Sequence, residues 1–468
     1  MTLHGNQLLR KRKPLLEVIF ATTSKMKSSA ILTQALLLLL FCSICKGGFK
    51  NRNLDYLLTK SGIRKADFNL RAANDGNILV TNWDDGARKL IVLARRAFLK
   101  YSDHKWQHLY INNWKRGKIQ RSRLAREFPC SLNGTKSAEI PTNVNSLRPG
   151  DIDVIAAIGD SLSAGNGMLS KTFINLLAEF RGMAFSGGGM ADWRSTLTLP
   201  NILKMFNPNL YGFATANVLA IDREAHFNIA EPMIMSRDLL YQVQVFIQRL
   251  KTDPRVDMKR HWKLLTIFVG NLDVCFELCR NSDLWSKLRQ HEVDLLDAFT
   301  LLRDTVPRLV VNLMPAPNMV TTLGQMRNVP LPCQAVHSFG CRCVFSESYN
   351  ETHLRLASEY FTRWQAIDEY VAGLPAFQTD DFAILYQPLT ANAILPRMGN
   401  GDIDLRFFSS DCFHFSQLGH AAMANGLWNN MLQAPGQKES VIREPFDWFV
   451  CPTAERPFIA TLKNSITY

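Results

Sequence analysis

From residue 150 onward, near-continuous apolar runs of strand length alternate with longer stretches whose apolar residues recur every three or four positions. The runs are Val154–Ile158, Leu264–Val269, Leu309–Leu313 and Phe382–Tyr386, with Met183–Phe185 a shorter and weaker candidate. Runs without polar alternation suit parallel strands that are covered on both faces. Between them, Leu239, Val243, Phe246, Ile247 and Leu250 share one helical face behind a cap candidate at Ser236. Leu288, Leu295, Phe299 and Leu302 do the same within residues 283–303, and Leu354, Ala357, Phe361, Trp364, Ile367 and Val371 form a third stripe. Such stripes are core positions. The alternation predicts a three-layer α/β/α domain with a mostly parallel sheet, whose ligand site lies beyond the carboxyl ends of the strands.

The front of the chain has a different character. An apolar stretch from Ala30 to Cys45 is preceded by basic residues and followed by Lys46-Gly47-Gly48. It falls short of the ~20 residues that span a bilayer, so residues 1–47 read as a secretory signal peptide, started at Met1 or at Met26, with an uncleaved signal-anchor as the alternative. Nothing after residue 431 reads as a second membrane segment or a lipid-anchor signal, and the mature protein is expected to be secreted and soluble. Residues 48–129 form a polar, basic N-terminal extension. Its Trp106, Tyr110 and Trp114 sit at helical spacing beside Lys115-Arg116, as in a helix burying its aromatics or, alternatively, a basic face for anionic membranes.

Charge and cysteine usage narrow the function classes. The net charge of +13 is concentrated in residues 1–130, whereas 131–468 hold 29 basic against 33 acidic residues. The main body is therefore mildly acidic and is no nucleic-acid-binding surface. Ten cysteines include Cys42 and Cys45 in the signal; the other eight are expected to form four disulfides in an oxidising compartment, with the pairing open. The Cys275/Cys279 and Cys341/Cys343 spacings fit no common zinc pattern, and no metal is expected. Asn133-Gly134-Thr135 and Asn350-Glu351-Thr352 are acceptor sequons for N-glycosylation.

The first strand runs straight into Gly159-Asp160-Ser161-Leu162-Ser163-Ala164-Gly165, a small-residue turn that exposes Ser161 at the carboxyl edge. This is not the G-x-S-x-G elbow, and a serine hydroxyl needs a neighbouring base to act as nucleophile. Near the other end of the domain, Asp411-Cys412-Phe413-His414 precedes a helix at 419–431. Asp-x-x-His on one loop can turn one imidazole nitrogen onto the carboxylate and offer the other to a serine. His420 suits helix packing, and the remaining histidines have no comparable partner in the sequence.

Together these two segments resemble the GDSL/SGNH hydrolases, most closely the animal phospholipase B group in a single-repeat form. Leu147-Arg148-Pro149-Gly150-Asp151-Ile152, Thr198-Leu199-Pro200-Asn201-Ile202-Leu203, Trp262-Lys263-Leu264, Trp428-Asn429-Asn430-Met431 and Cys451-Pro452 extend the likeness over residues 130–468. The resemblance implies a flavodoxin-like α/β/α fold with a five-stranded sheet and no cofactor. It further implies hydrolysis of phospholipid or lysophospholipid acyl esters at a lipid surface through an acyl-serine. Nucleic acid is excluded as a partner, and no obligate protein partner is expected. By the same resemblance, Ser161, His414 and Asp411 form the catalytic triad, with Asp273 as the alternative acid. The oxyanion hole would take the N–H groups of Ser161 and Gly188 and the side chain of Asn271. In the ungapped alignment of Gly270-Asn271-Leu272-Asp273-Val274-Cys275 with the family's Gly-Gly-Asn-Asp-Leu-Cys, Leu272 falls on the oxyanion asparagine and Asn271 one place early. A catalytically impaired protein that binds lipid or a protein partner is the rival expectation.

Overall fold

Strands that are apolar on both faces need cover on both sides, and here they receive it. The computed structural model describes residues 85–465 apart from 124, 280–282, 327–328 and 347–348; the expected signal peptide and residues 48–84 lie outside the described residues. Strands β1 (Ile152–Gly159), β2 (Trp262–Phe268), β3 (Leu309–Met314) and β4 (Phe382–Tyr386) form one parallel sheet in the order β1-β2-β3-β4. The register places Ala157 beside Thr266, Thr266 beside Asn312 and Asn312 beside Leu385.

The helices longer than one turn are, in chain order, α1 (Asp85–His104), α2 (Trp106–Lys115), α3 (Leu199–Phe206), α4 (Leu239–Thr252), α5 (Asn271–Glu277), α6 (Leu284–Thr305), α7 (Leu331–Gly340), α8 (Glu351–Ala372) and α9 (Gln417–Leu432). Alternate strand residues point into two cores. Val154, Ala156, Ile158, Leu265, Ile267, Val311 and Ile384 pack with α4 and α6, whereas Ile155, Leu264, Phe268, Val310 and Leu385 pack with α3 and α9. This is the three-layer arrangement that the apolar patterning predicts.

The expected fifth strand is not found: among the described residues the sheet has four. Arg181–Met183 is a single 3-10 turn, and the Phe185 N–H goes to His420 Nδ1 at 3.3 Å rather than to a neighbouring strand. The buried Arg181 guanidinium draws this segment inward, bonding the carbonyls of Val218, Asn228 and Ala230 and the Glu179 carboxylate. The free edge of β1 is instead satisfied piecewise, as a buried edge must be. Ile155 N–H donates to Tyr211 O at 2.8 Å, and Ala157 exchanges bonds with Phe227 O (3.0 Å) and Ile229 N (2.8 Å). Neither covering stretch has a strand-length apolar run, so neither is visible as a strand in the sequence.

A second local difference concerns Ser236. Residues 236–238 form a 3-10 turn ahead of α4, and the Ser236 hydroxyl does not cap that helix but lies 2.6 Å from His291 Nδ1.

Four disulfides join the eight cysteines among the described residues: Cys130–Cys451, Cys275–Cys341, Cys279–Cys343 and Cys333–Cys412. The basic segment at 85–123 packs onto the sheet domain. Trp106 and Tyr110 pack near Phe180, whereas Trp114 is 64% exposed. Arg95 on α1 bonds Glu179 at 2.7 Å and Glu231 at 2.8 Å, and Glu179 also holds Arg181 at 2.5 Å, all four nearly dry. Breaking a buried ionic cluster at one member leaves uncompensated charge. Arg95→Met is therefore expected to cost about 3–5 kcal/mol, read as a lower denaturant midpoint at unchanged slope.

Candidate active site

β1 ends in a turn that only glycine accommodates. Gly159 has φ +137°, and a Cβ there would stand 2.1 Å from the carbonyl oxygen of Phe268 on β2. The next residue, Asp160, caps a single helical turn at Ser161–Ala164 by accepting the Leu162 N–H at 2.9 Å. Ser161 is thereby held at the carboxyl edge of the sheet, and its own N–H, in the first turn, has no intrahelical acceptor. The Asp160 carboxyl is buried, which pushes its pKa up to about 6, even though bonds from Asn271 and Leu162 pull the other way.

The partner segment is a tight hairpin. Ser416 N–H donates to Phe407 O at 3.0 Å and Ser409 N–H to His414 O at 2.7 Å, so the chain doubles back across residues 407–416. At its tip one oxygen of Asp411 accepts the N–H groups of Phe413 and His414, both at 3.1 Å. Cys412 takes a positive φ of 55°, is tied by disulfide to Cys333 on α7, and receives a hydrogen bond from His337 Nε2 at 3.1 Å. The other Asp411 oxygen lies 2.6 Å from His414 Nδ1, and His414 Nε2 lies 3.0 Å from Ser161 Oγ. A serine, an imidazole and a carboxylate from chain positions 250 residues apart thus form one hydrogen-bonded line.

Electrostatics suit proton transfer along this line. Burial alone would lower the His414 pKa, but the charge and hydrogen bond of Asp411 outweigh it and hold the imidazole above its usual value. For Asp411, burial works to raise the pKa, yet His414 and the two backbone N–H groups outweigh it, so the carboxylate stays ionised below its usual range. His420, by contrast, is buried without such a partner, and burial pushes it down to about 3. Next to the line, Leu162, Met319, Leu323, Phe408, Phe413 and Met423 are among the residues lining an almost wholly apolar cavity. Among the described residues no cluster of His, Cys, Asp or Glu is placed to hold a metal ion, and no helix is long and apolar enough to cross a membrane.

The GDSL-like lipase/acylhydrolase family model matches residues 155–427, more than half of the chain, with Ser161 at one end of the match and His414 near the other. The chain belongs to the GDSL-like lipase/acylhydrolase family. It is 35% identical over 344 residues to human membrane-associated phospholipase B1 (72% of this chain, 23% of that protein) and 34% identical over 335 residues to the mouse protein (70% and 22%). It therefore spans roughly a quarter of the length of these relatives. Among solved structures, an extracellular lipase from Streptomyces rimosus aligns with a TM-score of 0.29 and 13% identity, covering 57% of this chain and 95% of that one. Membership places the chain among the carboxylic ester hydrolases.

Against the GDSL pattern, the other candidate residues have particular places. Asp273 does not face His414; both of its oxygens accept the Ser236 N–H at 3.1 Å. The Gly188 N–H donates to Ala184 O at 2.9 Å, and one N–H of the Asn271 amide donates to Asp160 Oδ2 at 2.7 Å, so the Gly188 donor and one of the two Asn271 donors are engaged within the protein. Leu272 is buried. Asn133 and Asn350 are both exposed, and Asn350 caps α8 through its side-chain oxygen.

A second serine–histidine–aspartate line escaped the sequence reading, which left the remaining histidines without a partner. Ser236 Oγ lies 2.6 Å from His291 Nδ1, and His291 Nε2 lies 3.1 Å from Asp368 Oδ1. The imidazole also stacks on Trp364 at 3.7 Å between ring centroids. All of these groups are buried, so the line is a packed polar element of the core. Its members come from three separate elements, a spacing no sequence motif encodes.

The Asn271–Asp160 bond carries a stability prediction. Asn271→Ala removes a bond that favours the Asp160 carboxylate, so the pKa of Asp160 rises further above about 6. A buried polar group left unpaired costs about 1–3 kcal/mol. The loss should be larger at pH 8, where the group would be buried as an anion, than at pH 5, where it is protonated; chemical denaturation at the two pH values measures it.

Proposed function

We propose that the protein is a secreted serine esterase that hydrolyses acyl esters of phospholipids and lysophospholipids. The observation that carries this reading is the Ser161–His414–Asp411 line, at 3.0 and 2.6 Å, with a small apolar cavity lined by its neighbours Leu162 and Phe413. The name of the phospholipase B1 relatives points to the same substrate class. Secretion is supported by the four disulfides, which persist in oxidising compartments.

In this mechanism the Ser161 oxygen attacks the ester carbonyl as its proton passes to His414 Nε2. The resulting imidazolium is stabilised by Asp411, which stays ionised throughout. Collapse of the tetrahedral adduct breaks the acyl–oxygen bond, and His414 returns the proton to the departing alcohol. Water then attacks the acyl-serine, again giving a proton to His414, and the fatty acid leaves as Ser161 recovers its proton. The Ser161 N–H, which has no intrahelical acceptor, would donate to the oxyanion; Asn271 spends one N–H of its amide on Asp160 and has the second to offer, whereas Gly188 would join only by exchanging Ala184 O for it.

The engagement of the Gly188 N–H favours one rival reading, a GDSL protein that binds acyl lipid without turning it over. Loss of one oxyanion donor typically costs 10²–10³ in kcat, about 3–4 kcal/mol. Hydrolysis of lysophosphatidylcholine and of a short nitrophenyl ester decides between the readings. The esterase is expected to turn over both, with Ser161→Ala reducing the rate to background; equal inactivity of both folded proteins overturns the esterase reading, and retention of lysophosphatidylcholine by them supports the binding one.

Two further outcomes follow from the geometry. His414 must be neutral to accept the serine proton, so kcat/KM should rise with pH through an inflection above the ordinary imidazole value of about 6.5. Met423→Trp, which fills the apolar cavity, should lower kcat/KM for long-chain esters by about tenfold or more relative to a butyrate ester.

A further inference from the structure

Lys118 lies outside the segment matched by the family model, in the basic stretch after α2, yet it is buried against the hairpin that carries His414. Its ammonium donates to Phe408 O at 2.6 Å and to Ser409 O at 3.1 Å. Ser409 is the residue whose N–H holds His414 O at 2.7 Å, so the lysine is two hydrogen bonds from the imidazole-bearing residue. The same stretch is fastened on either side. Leu418 N–H donates to Lys118 O at 2.9 Å, and Gln120 bridges Gln417 and Leu197, accepting the Leu197 N–H at 2.7 Å.

A buried ammonium is costly unless it is hydrogen-bonded. No ion pair of Lys118 occurs among the described residues; its partners are the two carbonyls at the base of the hairpin. The charged groups facing it are Arg116 on its own segment and Asp404 and Asp411 across the contact. We propose that Lys118 is a positioning residue for His414, clamping the base of the 407–416 hairpin so that the ring stays in line with Ser161. The basic N-terminal segment is on this view a working part of the esterase site. The proposal rests on the hydrolytic reading of that site for its effect on rate, while its structural content is independent of turnover.

Burial, together with Arg116, brings the Lys118 pKa down to about 8, against the opposing pull of the two aspartates. The charged clamp is then complete below that pH and weakens above it. The test uses the full chain as wild type, Lys118→Met, Lys118→Gln and Lys118→Arg. Misplacing a reacting group by about 1 Å can cost on the order of 10²-fold in rate. Lys118→Met is expected to lower kcat for a nitrophenyl ester about 10- to 100-fold with KM changed less than about threefold, and Lys118→Arg to restore most of it. Wild type should lose kcat as pH rises through about 8, and Lys118→Arg, which stays charged, should not. The readout independent of turnover is the low-field Nδ1 proton of His414 in histidine-labelled protein, identified by its loss in His414→Gln. It should broaden or vanish in Lys118→Met and persist in Lys118→Arg. If Lys118→Met does not fold, Lys118→Gln is read in the same way. An unchanged proton signal in a folded, uncharged variant overturns the proposal. A changed signal in a protein that never turns over ester keeps the clamp and sinks the hydrolytic reading instead.

Discussion

A serine hydroxyl becomes a useful nucleophile only while an imidazole stays within hydrogen-bond reach of it, and that constraint governs the arrangement of this protein. His414 sits 3.0 Å from Ser161 and 2.6 Å from Asp411, and neither distance survives much movement of the chain that carries the ring. The hairpin at 407–416 is accordingly tied down from every side. Its own cross-bonds close it, a disulfide joins its tip to α7, His337 holds the Cys412 carbonyl, and the Ser409 hydroxyl donates to Gly167 O at 2.5 Å, beside the serine turn. The last of these matters most, because it links the two halves of the line directly.

The sheet supplies the other half of the geometry. A parallel sheet buried on both faces gives its strands fixed directions, and β1 delivers the chain to Gly159 at the carboxyl edge. Only a residue without a Cβ can turn there, 2.1 Å from the Phe268 carbonyl, so the position of Ser161 is set by backbone packing rather than by any bond of its own side chain. The α-helical layers hold that edge, and the apolar cavity forms where α9 and the 317–323 and 390–396 segments meet the hairpin.

Buried polar groups recur around this frame, and several are paired with one another. Arg95 and Arg181 bond Glu179, Arg95 also bonds Glu231, Asn271 donates to Asp160, and Ser236, His291 and Asp368 form one hydrogen-bonded line. Such groups specify one arrangement strongly, because any alternative leaves charge or a donor unpaired in a dry interior. They also explain the restraint on Asn271: one N–H of the amide that the family alignment brings near the oxyanion position is spent on the carboxylate next to Ser161.

Sequence alone determined the layer order, the four strands and the serine and aspartate–histidine segments, because strand and helix periodicity and short motifs are local properties. It also gave the cysteine parity that four disulfides satisfy. It misread Met183–Phe185 as a strand and missed the cover of β1, since the hydrogen bonds of residues 211 and 227–231 depend on where the chain returns, not on local apolarity. Two things were decided only by the tertiary structure: that Asn271 turns to Asp160, and that Lys118 reaches the hairpin 290 residues away. Each is a contact between elements distant in sequence, selected by which buried charge or carbonyl would otherwise go unpaired, and no local pattern records that choice.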